Sequence, residues 1–144
     1  GIVLNVAAGL GAFVFGFLDD VLGAKRTIQI SNYAIFISIM IAVLASSVIW
    51  FWIAGIILGA FSGPNQSASR SLMGRIVPKD KVSEFFGFYA FSGKATSFIG
   101  PLLLAIIKQI TGSQKIGMLA VALILIAGIY LLSGVNDKYV EKDK

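Results

Sequence analysis

The sequence predicts an all-α, polytopic membrane bundle of five transmembrane helices. Three observations carry that expectation. The hydrophobic fraction is 57% and only 13% of residues are charged, whereas a soluble domain carries about 25% charged residues. Mean hydropathy is +0.88, so too little polar sequence remains to cover a surface facing water. Five separate stretches are apolar over about the 20 residues that a helix needs to cross ~30 Å of hydrocarbon.

The first span covers about residues 2–18. It opens on Gly1 without a positive leader or a small-residue cleavage pattern, so it reads as the inner piece of a longer span and not as a signal peptide. Ala8, Ala12 and Gly16 form a ridge of small residues that suits helix packing. A tight turn, 19–26, leads to the second span at about 27–47, and a minimal Ser-Ser-Val link leads to the third at about 50–69. Gly55, Gly59 and Gly63 recur every four residues in that third span, and Ser62, Gln66 and Ser69 extend the stripe. Small residues at this spacing let two backbones approach closely, so the three glycines are expected at a helix–helix contact.

Pro64 lies inside the third span and is followed at once by Asn65 and Gln66. Proline removes a backbone donor, and in lipid the freed carbonyl must find another partner. The two amides either bond across helices or meet a polar solute at a bend. A basic link, 70–84, precedes the fourth span at about 85–107. That span has an apolar stripe (Phe88, Phe91, Ala95, Phe98, Leu102), a hydroxyl stripe (Tyr89, Ser92, Thr96) and a small-residue stripe holding Lys94. Lys94 is ten residues past Glu84, roughly 15 Å deep at 1.5 Å per residue. A lysine at that level cannot easily reach the interface, so it faces a partner group or a wet cavity. The fifth span is at about 116–135, and a charged tail, 136–144, closes the chain. The expected organisation is therefore one transmembrane bundle, 1–135, plus that tail.

Nine basic residues lie on one side of the spans: Lys25, Arg26, Arg70, Arg75, Lys79, Lys81, Lys138, Lys142 and Lys144. Two, Lys108 and Lys115, lie on the other. Cytoplasmic loops hold the excess of Lys and Arg, which puts the C-terminus inside. The same topology accounts for the net charge of +5 without a nucleic-acid partner. Cysteine and histidine are absent. This excludes thiol nucleophiles, Ser-His-Asp triads, histidine relays and Cys/His metal sites within the chain. No nucleophile–base pair is visible either, so the expectation is no enzyme, no metal and no cofactor.

Polar groups inside a bilayer are costly and usually functional. Lys94, Gln66, Asn65 and Tyr89 are therefore the candidate contacts for a small polar solute, in a membrane transporter. Asp20, Arg70 and Glu84, at the inner ends of spans, are either gate charges or topology anchors. A different class, a membrane scaffold or accessory subunit with Lys94 as an assembly charge, is the alternative.

Two motifs then point to a family. Gly16, Asp20 and Gly23 match the loop signature G-x-x-x-D-(R/K)-x-G-(R/K)-(R/K), although Val21 replaces a basic residue and Lys25-Arg26 fall one place late. That signature resembles the major facilitator superfamily. The second stretch is more specific: Gln66, Ser69, Arg70, Ser71, Pro78, Glu84, Phe85, Phe86, Gly87, Tyr89, Lys94, Thr96, Ser97, Gly100 and Pro101, in order. It resembles the vacuole effluxer-like branch, the autophagy-related vacuolar amino-acid effluxers and their bacterial relatives. Pro64 and Ser67 depart from the branch's usual glycine and alanine. The resemblance covers nearly the whole chain. It implies a twelve-helix transporter in two six-helix halves, of which this chain would hold helices eight to twelve. The N-terminal helices of the same polypeptide would then be its partners, alongside a small-molecule substrate and the lipid bilayer. It also implies alternating access to a central site, amino-acid efflux as described for fungal members, and a bacterial inner membrane as the home of a bacterial member.

Overall fold

The structure, a computed structural model, describes residues 21–135 and, before them, Ile2, Asn5, Val6, Gly9, Leu10, Gly11, Phe13 and Val14. Ala8, Ala12, Gly16, Asp20 and the tail 136–144 lie outside the described residues. Four long helices follow one another: α1 (Ala24–Leu44), α2 (Val48–Ile76), α3 (Val82–Thr111) and α4 (Gln114–Ser133). All four are long and apolar enough to cross a membrane, and the described chain is an all-α membrane bundle.

Helix α2 continues past Pro64 to Ile76, so the predicted basic link of 70–84 shrinks to 77–81. The physical reason is that polar and basic residues remain good helix formers once an apolar span has nucleated the helix. Arg70 is thus six residues inside a helix, not at its end. The other boundaries differ from the sequence expectation by two to four residues, as helix ends do. Turns follow local chemistry. Gly23, the second glycine of the loop signature, takes φ 84° at the entry to α1, and Gly112 takes φ 69° as the left-handed C-cap of α3, its N–H donating to Lys108 O at 2.8 Å. Both are backbone positions that glycine adopts without a Cβ penalty.

Helix α1 is the hub. It packs along α2 and also against α4; α4 in turn packs on α3, while α2 and α3 touch at few positions. The antiparallel α1–α2 seam has three levels. At one end Ala24 and Ile28 pack on Ala68 and Leu72, with Ile76 and Leu132 beside them. In the middle Asn65 Nδ2 donates to Asn32 Oδ1. Toward the other end Ser38 Oγ donates to Ala54 O. Small residues bring the backbones together and polar side chains bridge them, the usual means of helix association in lipid. Gly59 is buried in α2, whereas Gly55 and Gly63 are only partly covered.

Pro64 has no N–H, so Ala60 O has no intrahelical donor. Gly11 of the preceding segment lies directly against the Ala60 backbone: a methyl group at Gly11 would overlap Ala60 O. Only a residue without a Cβ permits so close an approach. At the bundle's end, Lys25 Nζ donates to Ser133 O at 3.0 Å and also to Val135 O. It thereby joins the start of α1 to the electronegative C-terminus of α4.

Two measurements test this packing. Gly11→Ala should lower stability in detergent by about 1–3 kcal/mol through overpacking, while Gly74→Ala, with open space around it, should leave melting unchanged or raise it. In a double-mutant cycle, Asn32→Ala and Asn65→Ala should be non-additive by about 0.6–1.7 kcal/mol; full additivity would show that the two amides do not interact.

Candidate functional site

Where α2 and α3 diverge, they leave a cavity of about 650 Å³. Gln66 and Arg70, one helical turn apart, line it from α2. From α3 come Phe86, Tyr89, Ala90, Gly93, Lys94 and Ser97, which fall at i, i+3 and i+4 spacings along one face. The cavity therefore brings together three of the four residues singled out for solute contact, Lys94, Gln66 and Tyr89, and adds Arg70. None of these four side chains makes a hydrogen bond or an ion pair among the described residues.

Asn65 is not part of this cavity. It lies about 100° around the helix from Gln66 and is engaged with Asn32 in the α1–α2 seam, where Ser69 Oγ also donates to Asn65 O at 2.7 Å. Glu84 sits exposed in the first turn of α3, where a carboxylate suits the positive end of the helix. It does not line the cavity and forms no ion pair with Arg70. Asp20 lies outside the described residues.

Two wall residues were not singled out for solute contact: Phe86 entered the sequence reading only through the family motif, and Gly93 not at all. Their signal was present: Phe86 is four before Ala90, and Gly93 four after Tyr89. Conversely, the hydroxyls of Ser92 and Thr96 turn back onto their own helix, donating to Tyr89 O at 2.9 Å and to Ser92 O at 2.8 Å. Ser97 Oγ likewise donates to Lys94 O at 2.8 Å. Pro101 lies four residues on, inside α3. It has no N–H to offer Ser97 O, so that carbonyl lacks its usual helical donor.

The electrostatic character follows from the residue types. Among the described residues the wall holds two cations, a phenol, an amide and a serine, and no carboxylate. It is equipped to receive an anionic group with hydrogen-bonding neighbours. Among the described residues no cluster of His, Cys, Asp and Glu is suited to a metal. A second cavity, about 370 Å³ and almost wholly apolar, lies nearer the other end, between Ala42, Phe51, Ala54, Gly55, Leu104 and Met118.

Comparison with known proteins gives one consistent result. The family described as "Vacuole effluxer Atg22 like" matches residues 1–144. The chain is 29% identical over 136 residues to "Uncharacterized MFS-type transporter YxiO" of Bacillus subtilis (strain 168), covering 94% of this chain and 32% of that protein. It is 26% identical over 153 residues to "Autophagy-related protein 22" of Cryptococcus neoformans var. neoformans serotype D (strain B-3501A), covering 94% of this chain and 28% of that protein. With "Autophagy-related protein 22-2" of Emericella nidulans it shares 30% identity over 89 residues, 62% of this chain and 15% of that one. The chain thus spans a third or less of the length of these relatives. No solved structure matches it significantly. The matched family, the transporter relatives and the apolar helices agree: this chain is an integral, multi-pass membrane protein and belongs to the vacuole effluxer Atg22-like family of the major facilitator superfamily.

Proposed function

We propose that the chain supplies helices eight to twelve of a twelve-helix secondary transporter, and that the cavity between α2 and α3 is its share of a central site. The single observation that supports this best is the convergence of Lys94, Arg70, Gln66 and Tyr89, all without partners in the described chain, on one cavity. Lys94 is twelve residues into α3, roughly 18 Å along the helix axis and so near the membrane's middle. Its ammonium meets a carboxylate of a small polar solute; amino acids are the first class to test. Two halves rock about this level and expose it to each side in turn.

In this reading the end where α2 stops and α3 begins faces the cytoplasm, following the excess of basic residues there, and the membrane is a bacterial inner membrane. Asp20 and Glu84 then lie at the inner mouth, where they favour closure of that side.

Two experiments on the complete transporter test the proposal. Lys94→Ala should abolish most transport in proteoliposomes while insertion is preserved, because removing a midplane charge eases insertion. Normal transport by that variant would sink the assignment. For the mouth, Asp20→Asn and Glu84→Gln should each shift the equilibrium inward by about 1–3 kcal/mol. The shift should read out as increased thiol labelling of cysteines placed at the inner cavity; the described chain has no native cysteine to interfere. Unchanged labelling in both would make these residues topology anchors only.

A further inference from the structure

We propose that the end of the bundle remote from the 77–81 link holds a phospholipid, with one acyl chain in the apolar cavity and the phosphate beside Lys115. The site is separate from the α2–α3 cavity and does not depend on the solute assigned there.

Two cavities adjoin at this end. The apolar one, about 370 Å³, is walled by all four helices: Ser38 of α1, Ala54 and Leu58 of α2, Leu104 of α3 and Val121 of α4 are among its residues. The other, about 460 Å³, lies between the α1–α2 turn, at Ser46 and Ser47, and the start of α4, at Gln114 and Lys115. Ala42, Phe51 and Met118 line both, so the two form a slot and its mouth.

The slot suits a hydrocarbon guest. The one hydroxyl lining it, that of Ser38, already donates to Ala54 O, so a water inside would lack the two to four polar partners it needs. From Ser47 at the mouth to Leu58 in the slot is eleven residues, roughly 16 Å along the helix. That is about half of the ~30 Å hydrocarbon thickness. It is the depth of one leaflet, and so the reach of one acyl chain. A helix, about 10 Å across with its side chains, does not enter a cavity of this size; a flexible alkyl chain does.

The mouth suits a headgroup. Lys115 is exposed there and makes no hydrogen bond or ion pair among the described residues. Helices α2 and α4 both begin at this mouth, with no side-chain cap and no acidic residue in the first turn. Their positive ends add to the field of the ammonium. Trp50 and Trp52, exposed near the start of α2, are residues that settle at headgroup level. The mouth therefore lies at the interface and the slot in the hydrocarbon. A phospholipid matches both parts at once. A chain without phosphate leaves Lys115 unmatched, and a soluble phosphate leaves the slot unfilled.

The test is native mass spectrometry of the complete transporter with added dipalmitoyl phosphatidylglycerol or its phosphate-free counterpart, dipalmitoylglycerol. Phosphatidylglycerol should be retained, and more tightly than dipalmitoylglycerol. Lys115→Gln should weaken phosphatidylglycerol about fivefold, the usual effect of one basic residue at an anionic lipid surface, and leave dipalmitoylglycerol unchanged. Lys108→Gln, at the same end but outside both cavities, should change neither. Ala42→Phe, at the junction of slot and mouth, should weaken both. A phosphatidylglycerol with a diazirine midway along one chain adds a readout that needs no variant: its adduct should fall on peptides holding Leu58 or Val121. Equal weakening by Lys115→Gln and Lys108→Gln means attraction of the whole interface to anionic lipid and overturns the site. An adduct confined to the exposed Phe88 and Phe98 of α3 overturns it too. So does the absence of any retained lipid, the slot then being filled by side chains from the rest of the polypeptide.

Discussion

In hydrocarbon every backbone carbonyl needs a donor, and each proline inside a span takes one donor away. Helices α2 and α3 each contain one such proline, and much of the architecture follows from how the two vacancies are filled. In α2 the released carbonyl, that of Ala60, lies against Gly11, where a Cβ would not fit. The vacancy becomes a packing contact, and the two helices approach backbone to backbone. In α3 the released carbonyl is that of Ser97, a residue that lines the cavity. The same covalent feature falls at a packing contact in one helix and beside the cavity in the other.

The division extends to the side chains. Polar groups in the α1–α2 seam are consumed by each other: Asn32 with Asn65, Ser69 with the Asn65 carbonyl, Ser38 with Ala54. Ser31 Oγ is the exception, fully buried with no partner. Those facing the α2–α3 gap are not consumed. Helix α3 has no buried residue at all; it leans on α4 and leaves its cavity face open. A helix so little covered by its neighbours has its lysine available for a partner outside them.

The fold class was legible in the sequence because lipid imposes a length and a composition that few other contexts require. The site was legible only in part. Lys94 announced itself by depth, and Gln66 and Tyr89 by polarity. Asn65 carried the same signal as Gln66, yet one residue is 100° of helix, and only packing decides which amide faces a neighbour and which a cavity. Arg70 was expected at the end of a span for a related reason: hydropathy ended the third span near residue 69, whereas hydrogen bonding carries α2 seven residues further. Gly11 could not be chosen from its neighbours Ala8 and Ala12, since its role depends on a proline more than fifty residues away.

The clip made by Lys25 has a mechanical consequence. It ties residue 25 to residue 133, a separation of 108 along the chain, so the first and last of the four helices are joined by hydrogen bonds as well as by packing. Tension on the chain beyond α4 is therefore shared between this ammonium and the packing of α4 on α1, and it passes to the start of α1 without crossing α2 or α3.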